Sequence, residues 1–135
     1  MTNSKNAYLP NANIRYRSPQ VVHFINKFLD AACDSSRRSI LELLIPPDGQ
    51  ISPEAYELRA GEIASTLGLA PSTTSEHLHR LLKLHLVRTR KEGNIVYYQL
   101  RNHHLVLAFH ELLQALETHY TSHETTVERL EVEEG

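Results

Sequence analysis

Residues 58–101 have the sequence LRAGEIASTLGLAPSTTSEHLHRLLKLHLVRTRKEGNIVYYQLR, and this stretch decides the fold of the chain. Its first part carries apolar residues at helical spacing up to Gly68, which can adopt the left-handed backbone that ends a helix. Pro71 suits the first turn of a second helix with its own apolar stripe. The two stripes are Ala60, Ile63, Ala64 and Leu67, and Thr74, Leu78, Leu81 and Leu82. Two helices joined by so short a turn predict a helix-turn-helix, whose second helix enters the DNA major groove.

A β-hairpin is predicted directly after the second helix. Val87–Arg90 and Ile95–Leu100 are rich in β-branched and aromatic residues, and the glycine-containing segment Lys91–Asn94 lies between them. Three cations stand on or near the hairpin tip, where they can reach phosphates or a minor groove. These cations are Arg88, Arg90 and Lys91. A helix-turn-helix followed by a basic hairpin predicts a winged helix, a mainly α fold with a small β-hairpin wing (α+β).

Together these motifs resemble the ArsR/SmtB family of transcriptional repressors, over residues 20–120. The matching segments are Leu67-Gly68-Leu69 at the turn, Ser72–Leu78 in the second helix, Leu86-Val87 at the strand entry and Gly93–Tyr98 in the wing. Upstream, Asp34–Leu41 resembles the family's Asp-Pro-Thr-Arg helix, with Ser35 where proline is usual. The resemblance implies a homodimeric, cytoplasmic transcriptional repressor that responds to an effector.

Length and composition limit the function further. At 135 residues the chain is expected to form one domain, and no apolar run approaches the ~20 residues of a membrane span or forms a signal-peptide core. The single cysteine, Cys33, excludes an internal disulfide and suits a reducing compartment, so we expect a cytoplasmic protein with no membrane partner. The sequence has no glycine-rich phosphate loop, His-Glu-x-x-His helix or nucleophile motif, so an enzyme is not expected.

The net charge of −2 is the sum of a positive segment and a negative segment of the chain. Residues 59–101 carry seven Lys/Arg against three Glu, a charge of +4, whereas residues 102–135 carry one Arg against seven Glu, a charge of −6. Residues 1–58 balance, with six of each sign. Positive charge is therefore concentrated in the predicted DNA-reading part, and double-stranded DNA is the expected partner.

The flanking segments complete the predicted organisation. Residues 1–18 are polar and predict a flexible N-terminal arm, residues 19–122 form the winged helix-turn-helix DNA-binding and dimerisation domain, and residues 123–135 form an acidic tail. Apolar stripes predict a first helix over 21–32 and a long last helix over 105–120. A small winged helix cannot cover both stripes, so we expect a homodimer through the N- and C-terminal helices. Its two recognition helices would lie about 34 Å apart, which predicts an inverted-repeat operator.

The outward face of the second helix carries the candidate DNA contacts. Its residues are Ser72, Thr73, Ser75, Glu76, His77, His79 and Arg80. Hydroxyls near the helix start suit phosphates or base edges, and Arg80 suits phosphate or guanine. Glu76 and His79 stand where the family often has Arg and Lys, which predicts weaker phosphate binding. Glu76 either accepts a hydrogen bond from cytosine N4 or is a tolerated surface charge.

The family's usual metal-ligand patterns do not specify an effector here. The thiolate site of the family needs a cysteine pair at the start of the helix before the turn, so thiolate sensing of arsenite, lead or cadmium is not expected. The corresponding residues are Arg59, Ala60 and Gly61. The family's site on the last helix is matched at His104 alone. The other positions hold Asn102, Ala115 and Thr118.

The last helix is nevertheless rich in histidine. His119 and His123 are spaced i, i+4, which lets two imidazoles meet one ion. In an antiparallel helix pair, His104 would approach His119 or Glu117 of the second copy and build a nitrogen and oxygen site for zinc, nickel or cobalt. The alternative is that these are ordinary solvent-facing residues.

Cys33 is the second sensor candidate. It directly precedes a predicted helix start and is close in sequence to Arg37 and Arg38, a setting that favours a redox-active thiolate. The alternative is a small, buried apolar residue between two helices. The alternative for the whole chain is a winged-helix DNA-binding protein without metal sensing, which responds to redox change or to a small molecule, or is architectural.

Overall fold

Five helices and three short strands make up the residues that the computed structural model describes, 16–47 and 56–123. In chain order they are α1 (Pro19–Ala32), α2 (Ser35–Leu43), β1 (Leu58–Arg59), α3 (Ala60–Leu67), α4 (Pro71–Lys83), β2 (Val87–Glu92), β3 (Ile95–Leu100) and α5 (His103–Ser122). Most of the predicted arm and acidic tail lies outside the described residues, as do residues 48–55 between α2 and β1. None of the helices within these ranges has the length and apolar character needed to cross a membrane.

The helix boundaries follow from capping residues in the sequence. The side chains of Ser18, Asp34 and Asn102 each accept the backbone N–H three residues later, at 3.2, 2.9 and 3.0 Å, and so begin α1, α2 and α5. Gly68 ends α3 with a φ of 69°, and Pro71 is the first residue of α4. The predicted helix-turn-helix is thus confirmed.

The core lies where α2, α3 and α4 meet the sheet. Its side chains are all 2% exposed or less. They are Ile40, Leu41, Leu44, Ile63, Leu78, Leu81, Leu86, Val87, Leu100 and Val106. Nine of these ten residues come from the segment between α2 and the end of β3, and α5 contributes Val106 alone. The helix-turn-helix therefore has a closed apolar interior within one chain.

The wing is an antiparallel sheet in the order β1-β3-β2. The sequence predicted β2 and β3 but missed β1, whose two residues pair with Tyr97 and Tyr98 of β3. Strand pairing continues to Glu92 opposite Ile95, so the turn is the two-residue Gly93-Asn94 rather than the predicted four residues. Gly93 takes a φ of 62°, as tight hairpin turns require.

The helices α1 and α5 leave much of their apolar surface exposed. Phe28 of α1 and Phe109 of α5 join the two helices edge to face, with ring centroids 5.3 Å apart. Other large apolar side chains on these helices are 40 to 55% exposed. They include Val21, Val22, Phe24 and Leu29 on α1, and Leu112 and Leu116 on α5.

Candidate nucleic-acid interface

Helix α4 is held with one face in the core and the other towards solvent. Thr74, Leu78 and Leu81 are fully buried, and the Thr74 hydroxyl donates a hydrogen bond to the Ala70 carbonyl at 3.0 Å. Six of the seven predicted contact residues are exposed on the opposite face. They are Ser72, Thr73, Ser75, Glu76, His79 and Arg80. The helix therefore presents hydroxyls at its start and a guanidinium further along, the donor types that meet base edges and phosphates.

His77 differs from the predicted outward face, because its side chain is turned back into the protein and is only 13% exposed. Its Nδ1 lies 3.3 Å from Arg37 Nη1, and its Nε2 lies 3.7 Å from the Asp34 carboxylate. Arginine has donors only, so the contact with Arg37 is a hydrogen bond when Nδ1 of His77 carries no proton. Arg37 Nε also donates to the Ala31 carbonyl at 2.7 Å. His77 thus fastens α4 to the junction of α1 and α2.

The pKa of Asp34, the residue that caps α2, is also shifted by its surroundings. The backbone N–H of Arg37 donates to the Asp34 carboxylate and holds the pKa of Asp34 below its usual value, and the nearby His77 ring and Arg37 guanidinium act in the same direction. Partial burial of the carboxyl opposes this shift without reversing it. The ionised carboxylate is therefore the form that the fold stabilises.

The wing does not bring its three predicted cations together. Arg88 and Arg90 lie opposite Gln99 and Tyr97 on the outer face of the sheet, whereas Lys91 lies on the face that begins with the buried Val87. Lys91 is exposed, and in the described part of the chain it makes no ion pair. Arg88 and Arg90 therefore lie on one face of the wing, and Lys91 lies on the other.

Arg90 is already engaged inside the protein. Its guanidinium pairs with both carboxylate oxygens of Glu57, donates to Glu92 at 2.9 Å and lies over the Tyr97 ring, 4.6 Å from the centroid. The hydrogen bonds with Glu57 and Glu92 raise the pKa of Arg90, and the Arg90 hydrogen bond lowers the pKa of Glu57. Sequence reasoning missed Glu57, since 33 residues separate it from Arg90.

The candidate metal ligands lie at opposite ends of α5. His119 and His123 have ring centroids 4.6 Å apart, whereas His104 stands fifteen residues before His119, about 22 Å away along a helix. Glu117 is exposed near the C-terminal pair. Within residues 16–47 and 56–123, no three His, Cys, Asp or Glu side chains are grouped as a metal site requires. One chain therefore does not assemble the predicted site by itself.

Two further histidines of α5 have roles that the sequence did not indicate. His110 Nδ1 lies 2.7 Å from a carboxylate oxygen of Glu42 and ties α5 to α2. Burial lowers the pKa of His103, and the charges of Arg88 and His104 add to this effect. Burial thus favours the neutral form of the His103 ring.

Cys33 is exposed at the end of α1, so the interpretation of it as a buried apolar residue is wrong for the single chain. Its carbonyl accepts a hydrogen bond from Arg38 Nη1 at 2.9 Å. The start of α3, where the family's thiolate site would lie, offers Arg59, Ala60 and Gly61 and does not fit a soft metal ion.

The closed three-helix core, the exposed face of α4 and the paired hairpin define a winged helix-turn-helix protein. The sequence profile described as "Bacterial regulatory protein, arsR family" matches residues 54–89. The chain belongs to this family of DNA-binding transcriptional regulators.

Similar proteins agree with this assignment. YdfF, an uncharacterized HTH-type transcriptional regulator of Bacillus subtilis, is 36% identical over 89 residues, which cover 66% of this chain and 36% of YdfF. The cadmium resistance transcriptional regulatory protein CadC of Listeria innocua is 32% identical over 78 residues, 58% of this chain and 59% of CadC. The chain thus spans about a third to three fifths of the length of these curated relatives. Their names describe transcriptional regulators rather than enzymes, in agreement with the prediction.

Solved structures give the same fold. HlyU from Vibrio cholerae is 33% identical with a TM-score of 0.58, and the match covers 73% of this chain and 97% of HlyU. The homodimeric winged helix-turn-helix DNA-binding domain of Mb0332 from Mycobacterium bovis has a TM-score of 0.63 at 24% identity, over 79% of this chain and 93% of that domain. The latter likeness concerns the fold alone.

Proposed function

We propose that this chain is a cytoplasmic, homodimeric transcriptional repressor that binds an inverted-repeat operator and is released from it by an effector. The observation that carries the proposal is the outward face of α4, where six exposed side chains that can donate or accept hydrogen bonds flank a fully buried apolar stripe. Ser72, Thr73 and Ser75 contact phosphates or base edges near the helix start, and Arg80 contacts phosphate or guanine. Arg88 and Lys91 add phosphate contacts from the wing.

The exposed apolar faces of α1 and α5 support the homodimer. A second copy is the occupant that fits them, because the two helices are already packed together through Phe28 and Phe109 and form one continuous surface. A two-fold axis through this surface would place two copies of α4 about 34 Å apart, one turn of duplex DNA. The operator would then be an inverted repeat.

Glu76 is the candidate specificity residue on α4. Its exposed carboxylate can accept a hydrogen bond from cytosine N4 in the major groove. The competing proposal is that Glu76 is a tolerated surface charge. A Glu76→Gln protein with unchanged preference among operators substituted at single positions would remove the cytosine contact.

A divalent metal is the first effector candidate. An antiparallel pair of α5 helices would bring His104 of one copy towards Glu117, His119 and His123 of the other, since these groups lie at opposite ends of one helix. Imidazole and carboxylate ligands suit zinc, nickel or cobalt. A ligand that favours one dimer geometry by about 1–3 kcal/mol is sufficient for operator release.

Fluorescence anisotropy on DNA from the region upstream of the chain's own gene tests the function. The protein is titrated at fixed salt with chelator, then with zinc, nickel or cobalt. Tight binding with chelator and release by one metal, abolished in a His119→Ala/His123→Ala protein, is the expected result. Binding that never exceeds that of a scrambled duplex would overturn the repressor proposal. Specific binding unchanged by all three metals would overturn the metal effector alone.

The exposed thiol of Cys33 supports a second effector candidate, oxidation. An accessible thiol can be oxidised without unfolding the chain. Peroxide that weakens operator binding of the wild type but not of Cys33→Ser would favour a redox regulator. Peroxide without effect on either protein would exclude it, and a chain indifferent to metal and peroxide alike would favour an architectural DNA-binding role.

A further inference from the structure

Glu57 is the junction of a polar network on the outer face of the wing. Its carboxylate, whose side chain is only 21% exposed, accepts hydrogen bonds from Arg90 Nε at 3.0 Å, from Arg90 Nη2, and from Gln99 Nε2 at 2.8 Å. The Gln99 amide oxygen in turn accepts from Arg88 Nε at 3.0 Å. One carboxylate directly before β1 therefore connects both arginines of β2.

The geometry at Arg90 is the one that phosphate groups use. Two parallel N–H···O hydrogen bonds join the guanidinium to a pair of anionic oxygens, and phosphate and carboxylate match this fork equally well. A phosphate of the DNA backbone can reach this edge of Arg90 only by displacing Glu57. The remaining contacts of Arg90, to Glu92 and over Tyr97, hold the guanidinium in place on the sheet.

We propose that Glu57 limits the affinity of this protein for duplex DNA of any sequence by holding Arg90 in the place that a backbone phosphate would otherwise take. The inference rests on the proposed DNA-binding function. Phosphate contacts carry no sequence information, so each one that is withheld lowers affinity for all duplexes alike and leaves base contacts from α4 with a larger share of the binding. Glu57 is thus a positioning residue that acts through Arg90.

The salt dependence of binding to a fluorescein-labelled duplex of arbitrary sequence tests the proposal. Each phosphate contact adds about 0.9 to the slope of log affinity against log salt. Glu57→Gln releases Arg90, so its slope is expected to be steeper than that of the wild type by this amount. A fourfold rise in salt would then cost the variant about 3.5-fold more affinity than the wild type. A slope equal to that of the wild type would overturn the proposal.

Glu92→Gln is the matched control. It removes the same charge from the same arginine but leaves the paired hydrogen bonds between Arg90 and Glu57 in place, and Glu92 is 71% exposed at the hairpin end. We expect a slope close to that of the wild type. Equal steepening in both variants would mean that net charge alone matters, and would overturn the role assigned to Glu57.

A double-variant cycle shows whether the effect runs through Arg90. Arg90→Gln is expected to have the wild-type slope, and adding Glu57→Gln to it should change nothing further. A shallower slope in Arg90→Gln would show that Arg90 contacts phosphate in the wild type and would overturn the proposal. Arg90→Lys keeps the charge but loses the fork, so it should steepen the slope even if Glu57→Gln does not fold. Thermal unfolding of each protein reports folding independently.

The two proposals fail separately. A wild-type protein that binds no duplex at any salt would overturn DNA binding, and the role of Glu57 with it. A wild type that binds its operator, with Glu57→Gln and Arg90→Lys matching its slope, would overturn only the role of Glu57.

Discussion

The DNA-reading unit, residues 58–100, and the terminal helices α1 and α5 differ in how completely one chain buries their apolar residues. In the reading unit, Ile63, Leu78 and Leu81 are fully buried. In α5, a helix of 20 residues, Val106 alone is buried, and Leu116 is 55% exposed. The surface for DNA is therefore determined within one chain, whereas the terminal helices keep an apolar surface that one chain leaves uncovered.

Leu78→Ala should have the largest effect, because it opens a cavity in the closed core of the reading unit. We expect a loss of about 3–5 kcal/mol in the free energy of unfolding. Since this core lies within one chain, the loss should not depend on protein concentration. Urea unfolding at two protein concentrations measures it, and a loss that varies with concentration would break the distinction between the two regions.

Leu112→Glu combined with Leu116→Glu tests whether the exposed apolar surface of the terminal helices forms the dimer interface. Both side chains are about half exposed in one chain, so the variant should fold but lose the dimer. Operator affinity should fall about hundredfold or more, because each half-site is then bound separately. Sedimentation and anisotropy measure the two effects. A variant that remains dimeric would place the dimer interface elsewhere.

Arg80→Ala should weaken operator binding by about 1–3 kcal/mol without changing the folded core, since the side chain is exposed on α4. Arg101→Ala serves as control, because Arg101 is an exposed arginine just after β3, at the end of the hairpin opposite its turn and outside the face of α4 that carries the candidate contacts. Anisotropy titrations of both proteins decide the matter. Equal losses in the two variants would show that Arg80 contributes only general charge.

His77→Ala and His79→Ala distinguish a residue that holds α4 in place from a residue on the same helix that contacts DNA. His77 fastens α4 to Arg37 and Asp34, so its loss should cost about 1–2 kcal/mol of stability and leave the salt slope of DNA binding unchanged. His79 is exposed, so its loss should change stability by less than about 0.5 kcal/mol and affect DNA affinity instead. The reverse pattern would contradict the assignment.

Asp34→Asn should have the smallest effect, and one confined to a pH range. Asparagine still caps α2, so the variant removes only the charge. Because the pKa of Asp34 in the folded chain lies below its ordinary value of 3.8, the wild type should be more stable at neutral pH, by less than about 1 kcal/mol for so exposed a group. This advantage should disappear as the pH falls through 3.8 and below. Thermal unfolding from pH 7 down to pH 2 measures it, and a difference that does not shrink below pH 3.8 would contradict the charge effect.

Local signals in the sequence predicted most of the fold. Gly68 and Pro71 mark the helix-turn-helix because their backbone preferences act within a few residues, and Asp34 caps α2 for the same reason. The strand β1 was missed because two residues show no periodicity. The pairing of Glu57 with Arg90 was missed because it depends on tertiary distance and not on spacing.

The sequence predicted a DNA-binding site on α4 and the wing, but it did not predict the contacts of every residue in that site. His77 lies three residues after Thr74 and four before Leu81, so helical spacing placed it beside the buried stripe, although a polar ring favours an outward interpretation. Arg90 illustrates the opposite difficulty, since its exposure was foreseen but its carboxylate partners were not. The sequence thus indicated which side chains are available, and tertiary contacts determine which of them are already in use.

The pairing of β1 with β3 brings the two ends of the reading unit side by side, since Leu58 lies opposite Tyr98. The segments before and after the unit are therefore attached at one shared edge. A segment whose ends adjoin is linked to further chain at a single place, as domains with neighbouring termini commonly are. Changes in the chain that enters and leaves at this edge therefore need not move the face of α4 that meets the double helix.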